Sequence, residues 1–250
     1  MLPTPSTSHA SFDNIYEPAE DSYLLLDTLS SKAESTFLTK RFRSDEPSPL
    51  ILEVGVGSGV VLAFVAANAQ VIFGRSDVAV LGVDINPFAV KAAAQTIDVA
   101  LKDLVVKPIT LGTVMSDLTS SLRSTQVDAL IFNPPYVPTE PLPAASAISG
   151  ETIFNSHEAF DRDSKLLELS YAGGVDGMET TNRLLNQLPI VLSGRGVAYV
   201  LLCAQNKPEE VKTSIRLWPG SWNAETVGSS GKTAGWEKLC VVRIWRDVVP

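Results

Sequence analysis

The stretch Leu50-Ile-Leu-Glu-Val-Gly-Val-Gly-Ser-Gly-Val60 decides the fold. Leu50 to Val54 is a short apolar run that reads as a buried strand, and Ser58 to Ala69 continues as an apolar helical stretch. Glycines between a strand and a helix let backbone N–H groups approach a ligand and leave the helix N-terminus open. The spacing is Gly55-x-Gly57-x-Gly59, whereas the dinucleotide fingerprint needs a glycine where Val60 stands, so a pyrophosphate reader is disfavoured. Taken alone, three glycines also serve as a tight turn with no ligand at all.

Working outward, element types alternate. Val78 to Val83 predicts a second strand, and Pro87 opens a helix with Val90, Ala93, Ala94 and Ile97 on one face. Val105–Val114 predicts a third strand and Val127 to Phe132 a fourth. Asp176 to Leu192 reads as a helix ended near Gly194, Gly196 to Leu202 as a fifth strand, and Pro208 to Leu217 as a helix. Trp222 to Val227 and Lys238 to Trp245 predict an antiparallel finish. Upstream, Pro18, Glu20 and Asp21 open a helix over 19–33, and residues 34–49, closed by Pro47 and Pro49, read as a loop. The alternation implies an α/β fold: a seven-stranded, mostly parallel sheet with an antiparallel last strand and helices on both faces.

Composition bounds what such a fold does. The chain has 250 residues, 45% of them hydrophobic and 19% charged, enough for one large core. We expect one domain over 15–250 after a flexible, Ser, Pro and Thr rich tail over 1–14. Lys and Arg total 20 against 28 Asp and Glu, a net charge of −8, which disfavours any partner held mainly through phosphates. Cys203 and Cys240 both lie in apolar runs and are too few for a disulfide framework or a zinc site, so a reducing compartment and no metal are expected. Nothing reads as a signal peptide or membrane span, which points to a soluble intracellular protein. The aperiodic run from Val137 to Ser170 is expected to be mobile and to shape the entrance of a site.

Two acids follow the glycine turn at successive strand ends. Asp84 stands where such folds place a carboxylate on the ribose hydroxyls, and Asp117 can take an adenine amine by the same reasoning. Together they favour an adenosine-containing cofactor over a pair of solvated acids. Asn133-Pro-Pro-Tyr136 follows the fourth strand on the same edge. Its prolines stiffen the turn and remove two donors, so it presents acceptors. The Asn133 side-chain oxygen and the Pro134 carbonyl can accept both hydrogens of a planar amino group, with Tyr136 packed on its plane. The only histidines, His9 in the tail and His157 in the long loop, are read as non-catalytic.

With these residues in view, Glu53-x-Gly-x-Gly-x-Gly, Asp84-Ile-Asn-Pro, Asp117 and Asn133-Pro-Pro-Tyr136 resemble the class I S-adenosylmethionine-dependent amino-methyltransferases, which have a Rossmann-like fold. Tyr16-Glu-Pro-Ala-Glu-Asp-Ser and Tyr171-Ala-Gly-Gly-Val-Asp-Gly177 are similar to the eukaryotic and archaeal HemK-type enzymes, from about Tyr16 to Trp245. The resemblance implies N5-methylation of the glutamine in the Gly-Gly-Gln motif of the class I translation termination factor, in the cytoplasm. It puts Ser22, Glu53, Gly55, Gly57, Asp84, Asp117 and Leu118 on S-adenosylmethionine, Asn133 between cofactor and substrate, and Pro134, Pro135 and Tyr136 on the substrate amide. It also implies a heterodimer with a small zinc-binding activator subunit that covers an edge strand near Val105–Val114. The segments Ser35 to Pro49 and Thr139 to Ser170 are longer than the resemblance leads one to expect. The rival readings are an N6-adenine methyltransferase on DNA or RNA, against which the acidic charge and lack of a basic run argue, and a non-catalytic binding module on the same fold.

Overall fold

The computed structural model describes residues 2–142, 167, 170–231 and 238–247. Seven strands form one sheet: β1 (Leu50–Val54), β2 (Ala79–Asp84), β3 (Ile109–Met115), β4 (Val127–Phe132), β5 (Leu192–Cys203), β6 (Trp222–Ser229) and β7 (Leu239–Arg246). Their order is β3-β2-β1-β4-β5-β7-β6. The first five run parallel, and β7 is antiparallel to both neighbours, as the sequence predicts. Because β1 pairs with both β2 and β4, the strand order reverses there, and the crevice past the carboxyl ends of β1 and β4 is where such sheets hold ligands.

Side chains alternate across the sheet and feed two cores. Ile51, Val80, Ile131, Tyr199 and Val241 face one side, covered by α1 (Glu20–Ser30), α2 (Lys32–Arg41), α3 (Val60–Ala67), α4 (Ala69–Phe73) and α5 (Pro87–Leu101). Leu52, Leu130, Phe132, Val200 and Val242 face the other, covered by α6 (Glu179–Val191) and α7 (Pro208–Arg216). All of β4 is buried, as a central parallel strand requires. Burying each large aliphatic side chain stabilises the fold by about 1.5–3 kcal/mol relative to exposure.

The structure corrects several boundaries. The expected helix over 19–33 is two helices, because Ser31 leaves the helical conformation and its hydroxyl caps α2 by accepting the Glu34 N–H at 3.2 Å. Residues 34–41 are therefore helical rather than loop. The apolar helix after the glycine turn ends at Ala67, and Asn68 separates it from α4. The third strand starts at Ile109, and Val105 to Lys107 precede it on the surface. No loop ends α6 near Gly194. β5 begins at once at Leu192, which pairs with Val127, and the register then skips to Ala129 opposite Val197. Asp128 pins that bulge by accepting from Ser193 Oγ and Arg195 Nε. Within residues 1–14 the His9 ring meets Ala92 O and Thr96 Oγ1, and Asn86 Nδ2 donates to Asn14 O. The long loop lies mostly outside the described residues, His157 with it.

Periodicity hides α2 because a buried carboxylate anchors it. Glu34, 2% exposed, accepts from Tyr199 Oη at 2.7 Å and from Arg243 Nη1 at 2.8 Å, tying α2 to β5 and β7. The Arg243 guanidinium also lies 3.8 Å from the Phe37 ring centroid. Glu34→Ala leaves Arg243 with one exposed partner, Glu225, and should cost about 3 kcal/mol in urea unfolding. A loss below about 1 kcal/mol would show that the pair contributes no more than a surface bridge.

Candidate active site

A cleft of about 640 Å³ opens at the carboxyl ends of β1, β2 and β4, and every residue singled out for cofactor or substrate lines it. The glycines there have different tasks. At Gly59, φ is +80° and a Cβ would stand 2.6 Å from Ala93 Cα, so this glycine lets the start of α3 press on α5. A Cβ at Gly57 would meet only Gly55 O, at 4.0 Å, leaving that backbone open to a ligand. The turn is held from β2: Asp84 Oδ2 accepts the Gly57 N–H at 3.0 Å and Oδ1 accepts the Asn86 N–H at 2.9 Å. Glu53, 2% exposed, gives Oε2 to the Leu62 N–H at 2.8 Å and so caps the first turn of α3. Burial pushes both carboxyls up, Glu53 well above the usual carboxylate range, with the Asp84 charge adding to the effect on Glu53.

Asp117 and Leu118 sit on the turn after β3, where Leu118 is buried with φ +51°. The Asp117 carboxylate is paired with Arg183 of α6, and both line the cleft. Ser22, 5% exposed, is in the first turn of α1, its Oγ 3.2 Å from Asp21 Oδ1. Pro134 is buried, and Asn133, Pro135 and Tyr136 are half-buried along the wall.

Sequence reasoning missed Asp21, Arg183 and Glu179. Asp21 reads only as a first-turn acid beside Glu20, but it is 3% exposed and its Oδ2 accepts from Asn133 Nδ2 at 3.1 Å. A carboxylate accepts and does not donate, so this bond fixes which end of the Asn133 amide faces Asp21. Asn133 Oδ1 is left buried with no partner, and Asn133 itself lines the cleft. Glu179 accepts from the Leu142 and Val175 N–H groups, closing the far wall where the long loop departs and returns. Only proximity in space joins these residues to the motifs.

The raised Glu53 carboxyl has a measurable consequence. An acid whose folded pKa is raised costs nothing below its ordinary 4.5, where folded and unfolded chains are both protonated; the cost grows as pH rises past 4.5 and is full above the raised value. Glu53→Gln keeps an acceptor for the Leu62 N–H without the charge. It should raise Tm of the ligand-free chain at neutral pH, the gain shrinking on acidification. A lower Tm at neutral pH would show that the carboxylate is not held at a cost.

The methyltransferase small domain model matches residues 30–167. The chain is 33% identical over 253 aligned residues to the eRF1 methyltransferase catalytic subunit mtq2 of Schizosaccharomyces pombe, covering 98% of this chain and 96% of that protein. It is 34% identical to methyltransferase HEMK2 of Mus musculus, covering 97% and 96%. A Methanocaldococcus jannaschii protein named for protein N5-glutamine methyl transfer is 29% identical, covering 93% and 92%. A glycine turn braced by Asp84, an Asn-Pro-Pro-Tyr wall and relatives matched nearly end to end agree: the chain belongs to the methyltransferase small domain family, with the HEMK2-type methyltransferases.

Proposed function

We propose that this chain transfers a methyl group from S-adenosylmethionine to the side-chain nitrogen of the glutamine in the Gly-Gly-Gln motif of the class I release factor. The observation that carries the reading is Asn133, whose Nδ2 is held by Asp21 while its buried Oδ1 lacks a partner. A buried acceptor left unsatisfied costs about 1–3 kcal/mol, and a substrate N–H relieves that cost.

When bound, S-adenosylmethionine supplies an electrophilic methyl. The chain has features fitted to hold it: Gly57 opens on the cleft, Asp84 keeps acceptor capacity beyond its two backbone bonds, and Asp117 with Leu118 lies further along the same wall. Ser22 and Glu53 line the same cleft. A glutamine amide is a feeble nucleophile because its lone pair is delocalised, so orientation must supply most of the catalysis, about 7–11 kcal/mol in favourable cases. Asn133 Oδ1 and the Pro134 carbonyl accept the two amide hydrogens, and Tyr136 packs against the amide plane. The same oxygens stabilise positive charge as it develops on nitrogen. The protonated amide is itself a strong acid and releases its proton without a dedicated base.

Labelled-methyl transfer to the intact release factor, to a variant lacking the motif glutamine and to DNA tests the reading. Label on the first alone is expected; label on DNA alone overturns it. Asn133→Ala should lower transfer by about 100-fold or more while calorimetric cofactor affinity stays within about threefold. Retention of activity within severalfold would remove Asn133 from the role.

The reading extends to a partner, a small zinc-binding activator subunit that carries its own zinc; a cytoplasmic location goes with the substrate. Support comes from β3, which ends the sheet: Ile109 and Leu111 are each 53% exposed and Met115 65%, an apolar edge with unpaired backbone groups. The bulge between Val80 and Leu81 in the β2 pairing falls at Leu111. A strand or loop of the partner can complete this edge. Leu111→Asp should abolish the one-to-one complex on gel filtration and leave a poorly soluble chain. A wild-type chain that is monomeric, soluble and fully active alone would overturn the partner.

A further inference from the structure

The segment Tyr171 to Gly177 has no part in the reaction above, yet it lies directly behind the Pro-Pro-Tyr turn. The Val137 N–H donates to Tyr171 O at 3.1 Å, the Gly173 N–H to Val137 O at 2.8 Å and the Thr139 N–H to Gly174 O at 3.0 Å. Gly177 comes closest: φ is +68°, and a Cβ there would stand 2.1 Å from Tyr136 O.

Asn206 joins these pieces. It lies in the short 3-10 turn Ala204–Asn206 just past β5 and is 3% exposed. Its Oδ1 accepts the Cys203 N–H at 2.8 Å, which fixes the amide orientation, since its other partners are all carbonyls. Its Nδ2 donates to Tyr136 O at 3.2 Å and to Asp176 O at 3.1 Å. One buried side chain thus binds the end of the central sheet, the catalytic turn and the glycine segment.

The turn needs such help for a physical reason. Proline fixes φ but not ψ, and Pro134 and Pro135 have no N–H with which to join a ladder. The two planes closed by the prolines carry only a carbonyl, and the Tyr136–Val137 plane that follows is the first that can be held from both ends. Asn206 Nδ2 is the nitrogen donor at Tyr136 O, where Cys203 Sγ also lies at 4.0 Å, and the Val137 N–H of the same plane donates to Tyr171 O.

We propose that Asn206 is the positioning residue of the Pro-Pro-Tyr turn, setting the direction of its acceptors toward the substrate amide. The proposal rests on the methyl-transfer reading above. Asn206→Asp is nearly isosteric but turns an oxygen on the Tyr136 and Asp176 carbonyls in place of the donor. In the full chain with the release factor as substrate, kcat/KM should fall by about 100-fold, the scale of a small misplacement, with calorimetric cofactor affinity within about threefold. Amide exchange at Val137 and Gly173 should quicken about tenfold, with the β1 and β4 amides unchanged. Exchange that quickens equally in β1 and β4 with cofactor affinity lost would make Asn206 merely structural and overturn the proposal. So would kcat/KM within about threefold of wild type, whatever the exchange. If Asn206→Asp does not fold, Asn206→Ser carries the same test with the same outcomes. A wild-type chain that leaves the glutamine unmodified overturns the methyl-transfer reading instead, and the exchange measurement still tests the clamp.

Discussion

The hydrogen bond from Asn133 Nδ2 to Asp21 Oδ2 joins residues 112 positions apart, and the candidate site depends on it. Without it the Asn133 amide could rotate and satisfy its oxygen elsewhere; with it, a residue of the cleft lining keeps a buried acceptor without a partner. The bond holds only while α1 keeps its N-terminus against the end of β4. Leu25, Leu26 and Leu29 bury α1 in the core, and Asp21 Oδ1 accepts the Ser22 N–H at 2.6 Å, settling the first turn. Beyond α1, Ser31 turns the chain into α2, which Glu34 anchors to Tyr199 and Arg243. A polar network distant from the cleft thereby fixes the helix that orients the Asn133 amide.

The cleft also holds charge at a cost. Glu53 and Asp84 both have carboxyls pushed up by burial, so the ligand-free state loses stability as pH rises past the ordinary carboxylate range. Each is held in place by backbone N–H groups of the turn or of α3, which supplies direction but not enough compensation to bring the pKa down. A ligand with donors for these oxygens relieves the cost on binding.

What could be read from the sequence follows from where the physics is local. β1, β2 and β4 are short apolar runs bounded by turn residues, and Gly57, Asp84 and Asn133 sit at their ends, so sheet, crevice and main wall were legible together. Three kinds of feature were not. α2 buries little beyond Glu34 and Leu38, and its anchor is an ion pair to a residue 209 positions away, which leaves no period to detect. Gly194 looks like a stop after α6, but it lies within β5, where Asp128 pins a bulge to Ser193 and Arg195. Asp21 and Asn206 carry residue types common at helix starts and in turns, and their roles come only from what they touch across the fold.

The same contacts explain why the cleft suits a protein amide better than a base in a nucleic acid. An exocyclic amine on DNA or RNA arrives with a phosphate backbone, and phosphates need unpaired Lys or Arg nearby. Asp21, Glu53, Asp84, Asp117 and Glu179 all line the cleft, and the one cation among the described lining residues, Arg183, is engaged by Asp117. The whole chain carries −8, so long-range steering opposes a polyanion as well. An uncharged glutamine side chain meets none of that repulsion. It presents two N–H donors to a wall whose prolines have removed competing donors and whose Asn133 oxygen is held unpaired.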